Sequence, residues 1–260
     1  MYHSVSPVPG PYTVSPAAFL RQIKYIRENY PIVRLAEIGT LLLDRNDNER
    51  RVVITFDDAY VNFLEFAYPV LKRFAVPCTI FVPTRYVGGS NDWDIRQNID
   101  IAKRVMDRTN LVELAKEGLV HFGSHTVDHL SMRNLTRSQM EGQAVGSKVD
   151  LERTFQSTID TFAYPYGQLR DFSSLTTEVL TAAGYKIAVT TRWGTLNSHK
   201  DRMKLKRISF DEADECDDLK AKIEGQYDWF AAKERIGHSL FTLSGAMRNS
   251  KRQRGETNSR

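Results

Sequence analysis

Two adjacent carboxylates, Asp57 and Asp58, follow an apolar run at residues 52–56. Two histidines, His125 and His129, stand four positions apart further along the chain. Side chains four residues apart can point the same way, so these two imidazoles could share one metal ion. In α/β enzymes, catalytic groups typically follow the carboxyl ends of the strands, and an apolar strand that ends in paired acids fits this placement. Together these residues indicate a metal-dependent hydrolase.

The elements that must hold these residues are predicted from apolar spacing and from proline, glycine and capping residues. Strands are predicted at residues 52–56, 77–82, 119–122, 159–163, 186–190 and 205–209. Helices are predicted at residues 16–30, 62–74, 110–117, 135–155, 173–183 and 219–224. Because strands and helices alternate, the predicted fold class is α/β with a parallel sheet. There are roughly six or seven such repeats, so a barrel of seven or eight strands is possible and a doubly wound sheet is the alternative.

Length and composition are those of one globular domain. The chain has 260 residues, of which 41% are hydrophobic and 26% charged, and such a chain can bury one sizeable core. No apolar run is long enough to predict a membrane span. The two cysteines do not have the number or spacing of a disulfide framework. We therefore expect one domain over residues 1–235.

The net charge of +4 belongs to the C-terminal end of the chain. Residues 248–260 hold five basic residues and one acid, a sum of +4 that leaves residues 1–247 neutral. This composition predicts a disordered basic tail, assigned to residues 236–260, and no nucleic-acid partner. No signal peptide is recognised, so the cytoplasm is the default location. The first residues are predicted to be part of a strand, however. A preceding segment, and with it a periplasmic or secreted location, is therefore the alternative.

Three motifs follow predicted strands, where active-site loops of α/β folds converge. They are Thr-Phe-Asp-Asp at 55–58, Ser-His-Thr-Val-Asp-His at 124–129 and Ala-Tyr-Pro-Tyr-Gly at 163–167. In this order the motifs resemble those of the polysaccharide deacetylase family, also called the NodB-homology or carbohydrate esterase 4 family. The first two motifs together are highly specific, and matching features run from about residue 2 to about residue 210.

The resemblance implies a distorted (β/α) barrel of seven or eight strands, and it implies roles for individual residues. Asp58, His125 and His129 would bind a divalent metal ion, Asp57 would be the general base that activates water, and the backbone N–H of Tyr166 would stabilise the oxyanion. Chemistry supports this division, because one of two neighbouring acids can bind a metal while the other accepts a proton. Zinc is the expected ion for two histidines and one aspartate, although cobalt, nickel and iron fit similar ligands.

Two positions depart from the family pattern. The third motif usually carries an arginine that pairs with the catalytic aspartate, but this chain has Ala163 there, and Arg207 is the candidate substitute. The usual final motif, a strand that ends in a histidine acting as general acid, is absent near the C-terminus, because no strand precedes His238.

The N-terminus offers a replacement for that histidine. The run Tyr-His-Ser-Val at residues 2–5 resembles the opening strand of a circularly permuted subgroup, which includes enzymes that trim poly-N-acetylglucosamine exopolysaccharides. His3 would then protonate the leaving amine. The alternative is an exposed terminal histidine without a catalytic role.

Two further residues have two interpretations each, and two others are predicted to contact substrate. Trp93, on a long loop, could stack on a sugar face or simply pack in the core. Tyr164 and Pro165 of the third motif are predicted to contact substrate. Asp128, between the two histidines, could support the metal ligands or be exposed.

The predicted reaction is metal-dependent hydrolysis of N-acetyl groups on amino sugars of a bacterial glycan. One alternative keeps the metal site but changes the bond to a small amide, a cyclic amide or an O-acetyl ester. Another is a degenerate glycan-binding protein without activity. The chain has no Gly-x-Ser-x-Gly elbow, Gly-x-Gly-x-x-Gly motif or P-loop, so a serine esterase and a nucleotide cofactor are not predicted.

Overall fold

The computed structural model describes residues 1–43, 49–95 and 102–229. The strands are, in chain order, β1 (Ser4–Val5), β2 (Thr13–Val14), β3 (Ile54–Phe56), β4 (Cys78–Val82), β5 (Val120–Ser124), β6 (Thr161–Ala163), β7 (Ile187–Trp193) and β8 (Leu205–Arg207). Strands β3 to β8 form one parallel sheet in sequence order, and β1 pairs with β2 in a separate parallel pair. Every predicted strand is therefore present, with ends that differ by a few residues.

Helices cover the sheet. They are α1 (Pro16–Asn29), α2 (Ile38–Leu41), α3 (Tyr68–Phe74), α4 (Asp92–Ile95), α5 (Arg108–Lys116), α6 (Arg137–Phe155), α7 (Ser174–Ala182) and α8 (Cys216–Ile223), with a π-helical turn at Phe63–Ala67 before α3. The Ser15, Thr136 and Ser173 side chains cap α1, α6 and α7 by accepting a bond from a backbone N–H of the first turn, which satisfies an otherwise unpaired donor. Helix α1 packs against α3 and α8, and α6 packs against α5 and α7.

The N-terminal residues lie between the first and last strands of the main sheet. The nitrogen of Tyr2 donates to the Thr55 carbonyl (2.9 Å), and the nitrogen of Asp57 donates to the Tyr2 carbonyl (3.0 Å). On the other side, the nitrogen of Met1 donates to the Ile208 carbonyl (2.9 Å). The sheet is thus a curled, barrel-like layer of six paired strands, with a seventh segment attached to β3 by the single Tyr2–Phe56 bridge. Sequence alternation predicted a parallel α/β sheet and the family resemblance implied a barrel, but neither could show which strand edges are paired.

Aromatic packing fixes this N-terminal segment. The Tyr2 ring stacks on Phe56 with centroids 5.4 Å apart and meets the edge of Phe19 of α1 at 5.0 Å. Its hydroxyl donates to Gln22 (3.0 Å), and the side chain is 3% exposed. Burial of one large apolar side chain contributes about 1.5–3 kcal/mol. His3, the next residue, is therefore held at the carboxyl end of β3.

The remaining expectations concern cysteines, membrane spans and the tail. Cys78 is buried, as predicted for a small hydrophobic residue, and both it and Cys216 are free thiols. Burial raises the pKa of the Cys78 thiol. Within the residues that the structure describes, no helix has the length and apolar character needed to cross a bilayer. The predicted tail at 236–260 and His238 lie outside the described residues.

Candidate active site

Three side chains converge at the carboxyl ends of β3 and β5. The Nε2 atoms of His125 and His129 lie 3.6 and 3.3 Å from Oδ1 of Asp58, and the three possible ligand atoms all lie within 4.8 Å of one another. Two ligands held at about 2.0–2.2 Å by a tetrahedral zinc ion would be separated by roughly 3.3–3.6 Å. The spacing therefore fits one shared ion.

The chemistry of these donors also fits a metal ion. Oδ1 of Asp58 is buried and has no hydrogen-bond partner within the described ranges. Burial and the neighbouring His129 lower the pKa of His125 to about 4, which leaves its imidazole neutral near pH 7. Burial raises the pKa of Asp58, but the surrounding imidazoles outweigh that effect and leave it below the ordinary value. An ionised carboxylate and a neutral imidazole are the forms that bind divalent metals.

The two histidines are oriented by contacts around the turn that joins them. Nδ1 of His125 hydrogen-bonds the Ala163 carbonyl (2.8 Å), so this nitrogen carries the proton and Nε2 keeps its lone pair for a metal. The hydroxyl of Thr126 accepts a bond from the nitrogen of His129 (2.9 Å). Gln143 of α6 and Arg85 both contact Asp128. Asp128 therefore connects the turn to α6 and to Arg85, and its predicted support of the metal ligands stays a prediction.

Asp57 lies beside the triad and is held by a bidentate ion pair. The Arg207 guanidinium donates to both carboxylate oxygens of Asp57 at 2.7 Å and also to the Thr190 carbonyl and the Thr55 hydroxyl. Burial by itself raises the pKa of Asp57, but the Arg207 charge and hydrogen bonds bring it down to about 2. Asp57 is thus ionised and can accept a proton.

This ion pair gives Asp57 the arginine partner that the third motif lacks at Ala163. The predicted pairing of Arg207 with Asp57 is confirmed, and the guanidinium enters from β8, two strands away from the third motif on β6. Sequence spacing could not test this pairing, because Arg207 lies 150 residues from Asp57.

His3 lies on the open side of Asp57. Its Nε2 is 3.8 Å from Oδ2 of Asp57, and its side chain is 19% exposed. Burial lowers its pKa, although the nearby Asp57 and Asp58 charges act in the opposite direction. The structure therefore brings His3 to the site, where a proton donor would be needed, and it is not a frayed terminal residue.

The third motif forms another wall of the site. Tyr166 has a left-handed backbone (φ 60°), and its ring meets the edge of His129 at 5.1 Å. Tyr164 is fully buried, stacks on Phe172 and donates its hydroxyl to the Met203 carbonyl (2.7 Å). Pro165 is also buried. The predicted substrate contact of the Tyr164 side chain does not fit this placement, because its ring fills the core and its hydroxyl is already bonded.

Trp93 packs against a metal-ligand candidate. Its ring stacks on the His129 imidazole, with centroids 4.5 Å apart and an interplanar angle of 26°, and only 5% of the residue is exposed. Tyr86 packs edge-on against the same indole at 4.6 Å. Of its two predicted roles, this geometry favours packing, while a contact with sugar stays a prediction.

One cavity of about 1170 Å³ is lined by the metal-ligand candidates Asp58, His125 and His129 and by Asp57, His3 and Tyr166. Sites for drug-sized ligands span roughly 300–1,000 Å³, so the cavity has room for several linked sugar units. Beyond the residues already described, its rim carries Tyr12, Arg170 and Glu212. Left-handed non-glycine residues concentrate here, since Tyr12, Asp58, His129 and Tyr166 all have positive φ. Such conformations cost about 1–3 kcal/mol each and are typical of functional sites.

Sequence reasoning missed Gln143 and Tyr12. Gln143 lies three residues after buried Met140 and four before buried Ser147, so a polar residue on an inward-facing helical stripe was the available signal. Tyr12 had no signal beyond its closeness to His3 in the chain. Neither position belongs to a motif.

Comparisons with known proteins agree with the motifs. The sequence profile described as polysaccharide deacetylase matches residues 44–188. The chain is 28% identical over 210 residues to the YxkH protein of Bacillus subtilis, covering 80% of this chain and 69% of that protein. It is 31% identical over 169 residues to the poly-β-1,6-N-acetyl-D-glucosamine N-deacetylase of Staphylococcus aureus, covering 62% of this chain and 56% of that enzyme.

Solved structures show the same fold. IcaB from Ammonifex degensii superposes with a TM-score of 0.74 at 22% identity, covering 86% of this chain and 95% of that one. The deacetylase PplD of Streptococcus pyogenes, solved with acetate, gives a TM-score of 0.72 at 23% identity over 86% and 96% of the two chains. Together with the profile match over more than half of the sequence, these observations show that the chain belongs to the polysaccharide deacetylase family.

Proposed function

We propose that this protein is a metal-dependent hydrolase that removes N-acetyl groups from amino-sugar units of a bacterial glycan. The observation that carries the proposal is the arrangement at one cavity of a three-residue metal-ligand set, an ionised Asp57 and a nearby His3. Family membership and the named activity of the Staphylococcus aureus relative support the choice of reaction. The chain spans little more than half of that relative, so its substrate is part of the proposal.

Asp58, His125 and His129 would hold the ion. A divalent ion there supplies Lewis acidity, which polarises an amide carbonyl and makes water more acidic. We propose zinc, because two imidazoles and one carboxylate are a common zinc set, although cobalt, nickel and iron also accept these donors.

The protein's own groups move the protons. Oδ2 of Asp57 takes a proton from the water whose oxygen attacks the carbonyl carbon, while Arg207 keeps the carboxylate oriented. Nε2 of His3 gives a proton to the amide nitrogen as the carbon–nitrogen bond breaks. The backbone N–H of Tyr166 donates to the developing oxyanion. The products are acetate and a free amino group on the sugar.

The test is acetate release by purified protein of known metal content. Substrates are β-1,6- and β-1,4-linked N-acetylglucosamine oligomers, N-acetylglucosamine itself and an aryl acetate ester, with the slow variant Asp57→Asn as the control. Equal amounts of acetate and new amine from an oligomer support the proposal. Release from the ester alone would indicate an esterase, and oligomer binding without acetate release by the metal-loaded protein would indicate a degenerate glycan-binding protein.

A further inference from the structure

Tyr12 places an aromatic ring beside His3 at the mouth of the cavity. Its side chain is 65% exposed, and its ring centroid lies 5.2 Å from that of the imidazole, at an interplanar angle of 35°. Isolated exposed aromatic residues are common on protein surfaces. This one differs because it borders the cavity and touches the group that would protonate the leaving amine.

The loop that carries Tyr12 is held rigidly. The segment from residue 6 to residue 12 contains three prolines, each of which fixes its own backbone φ. Lys103 and the Thr13 hydroxyl both donate to the Pro11 carbonyl, at 3.0 and 3.1 Å, and the nitrogen of Ser4 donates to the Tyr12 carbonyl (3.3 Å). Tyr12 itself has φ 52°, a conformation that persists only where the surroundings impose it. The backbone that carries the ring is therefore held in place before any ligand arrives, and the ring itself contacts His3.

We propose that Tyr12 stacks on the sugar unit next to the one being deacetylated, so that the site recognises at least two linked units. The inference rests on the proposed function. An aromatic face provides a broad apolar contact at little entropic cost, and a pyranose ring presents a face of C–H groups that matches it. Because Tyr12 contacts His3 and lies outside the Asp57 pair and the metal ligands, it meets the neighbouring unit and not the N-acetyl group.

Binding to a protein that turns over only slowly provides the test. In an Asp57→Asn background, calorimetry compares a β-1,6-linked N-acetylglucosamine pentamer with the monosaccharide, with and without Tyr12→Ala. We expect Tyr12→Ala to weaken pentamer binding about 3- to 10-fold, as loss of an aromatic contact does, and to leave monosaccharide binding unchanged. Tyr12→Phe keeps the ring and should bind as tightly as its parent. Trp229→Ala, which removes another half-exposed ring, is the matched control.

Two outcomes overturn this inference: unchanged pentamer affinity in Tyr12→Ala, or an equal loss for pentamer and monosaccharide, which would mean that Tyr12 acts through His3. Acetate release by the wild-type protein tells these failures apart from failure of the proposed function. If the wild type releases acetate from oligomers while Tyr12→Ala binds them normally, the subsite is wrong and the reaction stands.

A different observation concerns Gln143 of α6. Its Oε1 accepts bonds from the nitrogens of Val127 (3.1 Å) and Asp128 (2.9 Å), and its Nε2 donates to Oδ2 of Asp128 (2.6 Å). One side chain thus makes three hydrogen bonds to the turn between the two metal-ligating histidines.

That turn needs external support. Thr126 and His129 both have left-handed backbones, with φ of 67° and 53°, which non-glycine residues adopt only under constraint. The nitrogens of Thr84 and Arg85 donate to the carbonyls of Thr126 and Val127 from the β4 side. Gln143 supplies the hydrogen bonds from the α6 side, so the turn is hydrogen-bonded both to α6 and to the residues that follow β4.

We infer that Gln143 is a positioning residue that fixes the His125–His129 pair for metal binding. Outer groups that orient metal ligands typically contribute 10- to 100-fold in metal affinity. We therefore expect Gln143→Leu to raise the zinc dissociation constant about 10- to 100-fold, measured by competition with a chromophoric chelator well below the unfolding temperature. Gln139→Leu is the matched control, because Gln139 lies on the same helix and bonds the nitrogen of Thr136 without touching the turn.

Rescue separates positioning from general stability. Gln143→Glu keeps both acceptor bonds but puts a second carboxylate beside Asp128. Adding Asp128→Asn reverses the donor and acceptor of that one hydrogen bond and removes the repulsion. The double variant should bind zinc more tightly than Gln143→Glu alone, a comparison that holds even if Gln143→Leu does not fold. Wild-type affinity in Gln143→Leu, an equal loss in Gln139→Leu, or no rescue by the double variant would each overturn the inference.

Discussion

Replacing Arg207 by methionine is expected to remove the charge that keeps Asp57 ionised. The guanidinium makes two bonds of 2.7 Å to the carboxylate, and the side chains of both partners are nearly inaccessible, at 7% and 1% exposed. Methionine fills much of the same volume without a charge or donor. The carboxylate would then remain in a buried site without its main partner.

The size of the effect follows from this burial. Removing one partner of a buried ion pair costs about 3–5 kcal/mol, and one pKa unit corresponds to about 1.4 kcal/mol. The pKa of Asp57, now about 2, should therefore rise by roughly 2–4 units to about 4–6. A domain with a total stability of about 5–15 kcal/mol would be clearly weakened yet in most cases still fold.

Two assays measure these effects. Urea unfolding of the metal-free protein at pH 7 should show Arg207→Met to be less stable than wild type, and the loss should be smaller when Asp57→Asn is already present, since no charge is then left unpaired. In the metal-loaded enzyme, the acid limb of kcat/KM should move to higher pH, because the base must lose its proton. Arg207→Lys keeps the charge but not the bidentate geometry, so its stability and its acid limb should lie between those of the wild type and of Arg207→Met. Wild-type stability together with an unmoved acid limb in Arg207→Met would refute the reasoning.

Further predictions concern the metal ligands and the proton-transfer groups. Asp57→Asn should keep the metal ion and lower kcat about 10²- to 10⁴-fold, the usual contribution of a general base; a near-normal rate with metal bound would remove Asp57 from that role. His125→Ala should lose stoichiometric metal, measured by elemental analysis, whereas the control His121→Ala, in strand β5 just before His125, should retain it. His3→Gln should lower kcat with little change in metal content, and unchanged kcat would end the proposal that His3 is the acid. The metal-free protein should also lose stability as the pH falls from about 6.5 to about 4, by up to about 3 kcal/mol. The sign follows because the pKa of His125 is lower in the folded protein (about 4) than in the unfolded chain, so protonation favours unfolding. The variant His125→Ala lacks this imidazole, and its stability to urea should therefore depend less on pH.

Local sequence singled out His125 and His129 as residues that could share a metal ion because their spacing lies within a single segment, and the resemblance to the deacetylase motifs added Asp58. Asp57 and Asp58 are neighbours after one strand, and His125 and His129 belong to one turn, so spacing restricts where each pair can point. Alternating strands and helices likewise predicted the α/β class, because a parallel sheet needs a crossover between successive strands.

Packing roles were harder to predict than ligands. Trp93 and Tyr164 are aromatic residues near motifs, a pattern equally typical of sugar contacts and of core residues. The stacking of Trp93 on His129, and the bond from the Tyr164 hydroxyl to the Met203 carbonyl, depend on how separate loops fold over one another. Composition and spacing contain no information about that arrangement.

By itself, the sequence determined the parallel α/β class, which follows from short-range periodicity, and the resemblance of its motifs to those of the deacetylase family implied the three metal ligands. The sequence offered Arg207 and His3 only as candidates, and the tertiary structure decided that both reach Asp57. Arg207 reaches Asp57 because β8 and β3 lie on either side of the N-terminal residues, and His3 reaches Asp57 because Tyr2 is paired with β3 and packed in the core. The physical reason is that strand order and register set these distances, and they depend on long-range packing that no local pattern encodes.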